Sequence, residues 1–427
     1  MTQYTLQDFG GAGDGRFDNT AAFAKAFAQI QSDGGGALRL TPGVYATGGL
    51  NLCSNLTLTL EAGATLQFIA DPMLYPAVAS RWEGVARQVH RACIYGDHLH
   101  NVTLEGLGTI DGAGAWWWAE FRAKRLELPR PYLLSIENSD NLKLRDLTFT
   151  NSPAWTLHPM LSTNILIDGV TVRNPADSPN TDGCDPESCS DLRIVNCQFD
   201  VGDDCIAVKA GTEETAEKVA CENIVIANCN MRHGHGGVVL GSEMSGDITN
   251  VTISNCIFYE TDRGIRMKTR RGRGGVISDV TVSNIVMTKT LCPIVINAYY
   301  FCGPSGKAQY VWDKTPYPVD ERTPQYRHLM FNNILAKEVQ SCAAFIYGLP
   351  EAPIEDVTLS GVQVYMDADA KPTTPAMIAD APVVAQAGIW LENTTNARLR
   401  DVVIQGADAP FMQQTANSGL VIDGVAE

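Results

Sequence analysis

The sequence predicts an all-β chain wound as a right-handed parallel β-helix, and three observations predict it. The first is a recurring unit: an Asn or Asp, alternating apolar residues, a turn and a second short strand. It starts at Asn141 (NLKLRDLTF), Asn164 (NILIDGVTV), Asp191 (DLRIVNCQF), Asn223 (NIVIANCNM), Asn250 (NVTISNCIF) and Asp279 (DVTVSNIVM), at intervals of 23, 27, 32, 27 and 29 residues, with later echoes at His328 and Asp356. Such a unit cannot bury its apolar face alone, whereas stacked copies share a continuous core. The second observation is residue type, since the units are rich in Val, Ile and Thr at period two, which suits strands. The third is the scarcity of stretches with a 3.6-residue apolar period, which disfavours a helical solenoid.

Taken in order, the elements begin with an exception to that scarcity. DNTAAFAKAFAQI offers Asp18, Asn19 or Thr20 as the N-cap of an Ala- and Phe-rich helix, which would cover the open end of the solenoid and its unpaired edge. One domain is expected over 1–427, with a cap region in 1–50 and coils in 51–427. GGAGDG (10–15) precedes no βαβ unit and carries no nucleotide-binding signal. Trp116, Trp117 and Trp118 precede a short helix and either stack on sugars or anchor a loop. Cys197, Cys229 and Cys256 and the corner asparagines, including the sequons at Asn55, Asn101, Asn250 and Asn393, read as structural. The Pro-rich stretch 302–328 interrupts the repeat and is expected to wall one end of a groove.

With 45% hydrophobic and 19% charged residues among 427, the composition is globular. A formal charge of -16 opposes a general nucleic-acid binder, because phosphate neutralisation needs clustered cations. No run of 18 apolar residues could span a membrane, and the opening residues carry no export signal, so a cytoplasmic location is expected, with the twelve cysteines reduced.

Chemistry concentrates after the regular strands of consecutive coils. Asp182 and Asp203 lie 18 and 12 residues from their coil starts, His235 lies 12 and Arg266 lies 16, so all four should project from one side in adjacent layers about 4.8 Å apart. Carboxylates crowded this way cannot all ionise easily, which supplies an acid and a base together. Inverting glycoside hydrolysis uses such a pair about 6.5–9.5 Å apart, a gap that neighbouring coils could provide. Asp203 and Asp204 would face opposite sides of an ideal strand, so a bulge at Gly202 is expected if both serve. RGIRMKTRRGR (263–273) holds six basic residues and no acid; Arg266 and Lys268 are alternate residues suited to clamping a carboxylate, and buried ion pairing is the competing role. No spacing of His and Cys matches a zinc site, and no metal or other cofactor is expected.

The motifs NTDG (180–183), GDD (202–204), GHG (234–236) and RMK (266–268), in that order, resemble the four signatures of the polygalacturonases, glycoside hydrolase family 28. Met267 stands where Ile is commoner. The resemblance runs from DFGGAGDGRFDNTAAF through most of the chain and weakens after about residue 350. It implies an inverting hydrolase of α-1,4-linked galacturonate that needs no metal. Carried over, Asp203 resembles the general acid, and Asp182 and Asp204 resemble the pair that activates water. His235 resembles the residue that tunes the acid. Asn180, Arg266 and Lys268 fall among the substrate binders, and NAYYFCG offers Tyr299 or Tyr300 as a further one, Tyr300 being preferred. The expected partner is an acidic oligo- or polysaccharide, cut from chain ends. A Ca²⁺-dependent pectate lyase and a silent β-helix that binds acidic glycans are the alternatives.

Overall fold

The computed structural model describes residues 2–301, 303 and 305–426. Cys302 and Pro304, within the expected 302–328 loop, lie outside the described residues. The chain forms two compact units, residues 1–203 and 204–427, and both are stacks of short parallel strands wound as a right-handed β-helix.

In the first unit one column of strands runs Thr2–Thr5, Gly36–Leu40, Leu56–Leu60, His100–Gly106, Asp140–Arg145, Thr163–Asp168 and Ser190–Val195, each parallel to the next. Their register stacks Leu38, Leu58, Leu104, Leu144, Ile167 and Ile194, all buried. The apolar half of the period-two pattern is thus the core, and a slip of one residue would turn every one of these side chains outward. A second column ends at Gln198–Val201. A third joins Leu50–Asn51, Ile94–Asp97, Leu134–Glu137 and Leu157–Met160. The helix Thr20–Ser32 buries Phe23, Ala26, Phe27 and Ile30. Asp18 accepts from the Thr20 amide at 2.9 Å, while the side chain of Asn19, the N-cap, is buried and bonds to Ala12, Phe17 and Ala46 backbone instead.

In the second unit the column Ile206–Val208, Val238–Gly241, Arg263–Lys268, Cys292–Asn297, Cys342–Tyr347 and Ala387–Thr395 is parallel throughout. Beside it, strand pairs of the repeat merge into longer strands such as Ile248–Tyr259 and Val276–Thr288. Ile226, Ile253, Val282, Phe331, Leu359 and Leu399 stack there.

The Asn or Asp that opens each repeat has a backbone reason. Asn141, Asn164, Asp191, Asn223, Asn250 and Asp279 all adopt left-handed φ between 52 and 58°, a conformation that short polar side chains tolerate best after Gly. Their amides then bond from coil to coil, Asn101 to Asn55 at 2.8 Å, Asn141 to Asn101 at 2.6 Å and Asn250 to Asn223 at 3.1 Å. Cys197, Cys229 and Cys256 are buried and donate to carbonyls two residues back.

Candidate active site

In the first unit, the strand Gln198–Val201 ends before the GDD motif, so Asp203 lies in a bend and not in a strand. The backbone bends at Gly202 and Asp203, as expected if both acids serve, and the glycine has a further reason to be there. A Cβ at position 202 would lie 2.4 Å from the Ser178 carbonyl oxygen and 2.7 Å from that of Pro175. Only a glycine lets the bend close onto the 175–178 turn that leads into Asn180 and Asp182. That contact draws the two acids together: a carboxylate oxygen of Asp182 lies within 4.8 Å of one of Asp203. Asp182 is buried and Asp203 half-buried.

Arg130, which the sequence did not single out, organises this turn. Its buried guanidinium donates to the carbonyls of Pro153 and Pro179 and to Asn180 Oδ1 at 2.7 Å, and it lies 4.0 Å over the Phe121 ring. Burial pulls its pKa down to about 10, against the opposing charges of Glu83 and Asp182. The oxygen of Asn180 is therefore engaged by Arg130.

A second feature of this unit also escaped sequence reading. Ala77–Trp82 and Val85–His90 form an antiparallel hairpin, turned at Glu83 and Gly84, both with positive φ. Trp82 stacks on Tyr132 (5.2 Å, 2°), which stacks on Trp155 (5.0 Å, 6°). Trp155 precedes Thr156, whose amide donates to the Asp182 carbonyl at 2.9 Å. Arg81 of the hairpin pairs with buried Glu187 at 2.8 Å. The available signal was Glu-Gly between two alternating runs. Of the three consecutive tryptophans, Trp117 and Trp118 are buried and Trp118 donates to the Ser152 carbonyl, which is the anchoring role; Trp116 is partly exposed.

In the second unit, Asp204 is buried between two cations. Lys268 Nζ lies 2.8 Å from one carboxylate oxygen and Arg266 Nη1 3.4 Å from the other. Burial by itself would raise the Asp204 pKa, but Lys268 and Arg266 outweigh it and hold the carboxyl well below the usual range. Asp204 is therefore ionised at any pH near neutrality. Gly236 of GHG keeps this pocket open, since a Cβ there would lie 2.4 Å from Val239 and 3.1 Å from Asp204 Oδ1. His235 is exposed, and its Nδ1 lies 2.8 Å from Asp262 Oδ2. Asp262 is a further residue missed in the sequence, although it immediately precedes the strand Arg263–Lys268. Burial raises its pKa, but His235 and Arg263 bring it below the ordinary value.

The rest of the basic stretch is committed to structure. Arg263 donates to the Thr374 and Pro375 carbonyls, and Arg266 Nη2 reaches Met377 Sδ. Arg270 and Arg273 both pair with Glu213, and Arg271 with Glu351. The two adjacent tyrosines separate. Tyr300 lies 5.6 Å from the Arg266 guanidinium and 5.1 Å from the Lys268 ammonium, whereas Tyr299 is buried against Tyr347 and Arg271.

The family described as Glycosyl hydrolases family 28 matches residues 44–376. A probable polygalacturonase of Vitis vinifera is 36% identical over 380 residues, covering 86% of this chain and 75% of its own length. An endo-polygalacturonase of Pectobacterium carotovorum subsp. carotovorum is 32% identical over 290 residues, 62% of this chain and 69% of that protein. Among solved structures, a hyperthermoactive exopolygalacturonase from Thermotoga maritima superimposes with a TM-score of 0.80 at 26% identity, over 96% of this chain and 93% of the other.

Proposed function

The chain belongs to glycosyl hydrolase family 28 and is a glycoside hydrolase, and from that premise we propose that it hydrolyses α-1,4-galacturonosyl linkages with inversion, removing residues from the ends of oligogalacturonides. The substrate class rests on the polygalacturonase relatives and on the Arg266, Lys268 and Tyr300 grouping, which offers a carboxylate two cations and an aromatic face.

One observation carries the mechanism: Asp182 and Asp203 approach within 4.8 Å, while Asp204, next in sequence, is kept ionised by Lys268 and Arg266. Two acids that close resist double ionisation, so one holds a proton. Asp203, which stands where the family's general acid is found, donates it to the leaving oxygen. Asp182 and Asp204 accept hydrogen bonds from the attacking water and take up its proton. His235, oriented by Asp262, tunes the acid. Arg266, Lys268, Tyr300 and Asn180 hold the sugars.

The stereochemical outcome separates this reading from retention, the alternative open to any pair of carboxyl groups. Under retention Asp182 would attack the anomeric carbon itself. Proton NMR during the first minutes of hydrolysis decides between them: the β-anomer of the newly formed reducing end must appear first for inversion, and its α-anomer for retention.

End-wise action rests on the 302–328 loop and on the likeness to the Thermotoga exopolygalacturonase. Mass analysis of products from a defined long oligomer tests it. Monomer or a single short product at early times is expected, and a ladder of mid-length oligomers would overturn it. Activity undiminished in chelator, with saturated products that do not absorb in the ultraviolet, separates hydrolysis from a Ca²⁺-dependent lyase. A cytosolic setting accompanies this reading, since short imported oligomers are the form of substrate that an end-cutting enzyme would meet there.

A further inference from the structure

The loop beyond Tyr300 carries an unused cation. Arg271 staples this loop from below: it pairs with Glu351 and donates to the carbonyls of Tyr310, Asp313 and Thr315. The staple sets Lys314 over two aromatic rings, its ammonium 3.3 Å from the Tyr299 centroid and 4.9 Å from that of Tyr347. No carboxylate among the described residues pairs with that ammonium. Asp313, its neighbour, spends its oxygens on Thr315 and Tyr317.

The position is in line with the Arg266 and Lys268 pair. Strand register aligns Lys268 with Asn297, Asn297 with Tyr347 and Tyr347 with Glu392. Tyr347 is therefore two rungs from Lys268, roughly 10 Å at the usual strand spacing. That is a step of one or two sugar rings along a bound chain. An ammonium held over tyrosine faces with no carboxylate beside it offers an acidic sugar a charge for its carboxylate.

We propose that Lys314 binds the carboxylate of a uronate lying beyond the one held at Arg266 and Lys268, and thereby gives the enzyme its preference for chains longer than the disaccharide. Tyr299 and Tyr347, both buried, position the ammonium. The charge is sensitive to pH in the useful range. Burial and then Arg271 pull the Lys314 pKa down to about 8, with Glu392, Asp380 and Asp313 opposing. The extra affinity is therefore present below that value and fades as pH rises through it.

This inference rests on the galacturonan reading, and its test separates the two. Lys314→Met keeps an unbranched stem over the rings and removes the charge. Its KM for trigalacturonate divided by that for digalacturonate should rise about tenfold, the worth of one charge-assisted hydrogen bond, and Lys314→Arg should restore the wild-type ratio. A ratio unchanged in Lys314→Met overturns the assignment, as does an equal loss on both lengths. Wild-type enzyme inert on every galacturonate oligomer would instead refute the hydrolase reading. Calorimetric binding of the same two oligomers to Asp203→Asn, with and without Lys314→Met, then still decides whether Lys314 holds a second carboxylate: a selective loss for the trimer supports it and equal affinities reject it.

Discussion

Asp203 and Asp204 are neighbours in the chain with opposite surroundings. Asp204 is sealed against Lys268 and Arg266, whereas Asp203 is half-exposed in a bend facing Asp182. On the proposed mechanism Asp203→Asn removes the donor without altering shape, so kcat should fall by about 10²–10⁴-fold while oligogalacturonate affinity, read by calorimetry, is largely kept. Lys268→Met has a different signature. It leaves a buried carboxylate short of one partner, which costs about 3 kcal/mol in urea unfolding. It also lets the Asp204 pKa climb. Because the folded pKa of Asp204 is depressed, its stabilising effect is complete above the ordinary carboxylate range and is lost as pH falls through the folded value. In Lys268→Met that loss, and the acidic limb of activity, should move to higher pH. The motif letters singled out both aspartates and both basic residues, but not the grip of the cations on Asp204. Sequence spacing gives the side of a strand, not which neighbour a long side chain chooses.

The 302–328 loop and the hairpin Ala77–Trp82 with Val85–His90 interrupt the regular coils. The loop was legible because its prolines break the repeat. Its attachment was not, since Arg271 and Glu351 are far apart in the chain and each resembles an ordinary surface charge. Removing the staple with Arg271→Ala should expose the loop to limited proteolysis between 302 and 328. If the loop walls the groove end as proposed, the substitution should also raise the share of mid-length products from long oligomers at least twofold. Unaltered products from a loop that has become protease-sensitive would overturn the role proposed for the loop in end-wise cutting. The hairpin escaped notice for a related reason: its alternation matches that of the coils, and only the Glu-Gly turn marks it as antiparallel. Gly202 teaches the converse. The expectation that the glycine mattered was sound, but it serves a close approach of backbone to the 175–178 turn as well as the bend.

At the level of the molecule, most of the fold was legible because the solenoid writes its period into the chain. A left-handed residue at every corner and an inward aliphatic at every second position are requirements of the backbone, so they recur regardless of function. Charge adds a property that no single site has. With a formal net charge of -16, the protein repels a polyanionic substrate at long range, and on the proposed reading Arg266, Lys268 and Lys314 attract it locally. Raising ionic strength from about 10 to about 150 mM shortens the screening length from roughly 30 to roughly 8 Å, so KM for polygalacturonate should fall severalfold before it rises again. The cationic grip on Asp204 acts as an interlock. On the proposed substrate reading, an arriving uronate shares Lys268 and Arg266 with the carboxylate that already occupies them. In the empty enzyme that carboxylate is too weak a base to take a proton from water. The incoming anion loosens its counter-ions and adds repulsion, which strengthens it at the moment a sugar is in place. The acidic limb of kcat, which reports the loaded enzyme, should accordingly lie at higher pH than that of kcat/KM, which reports the empty one.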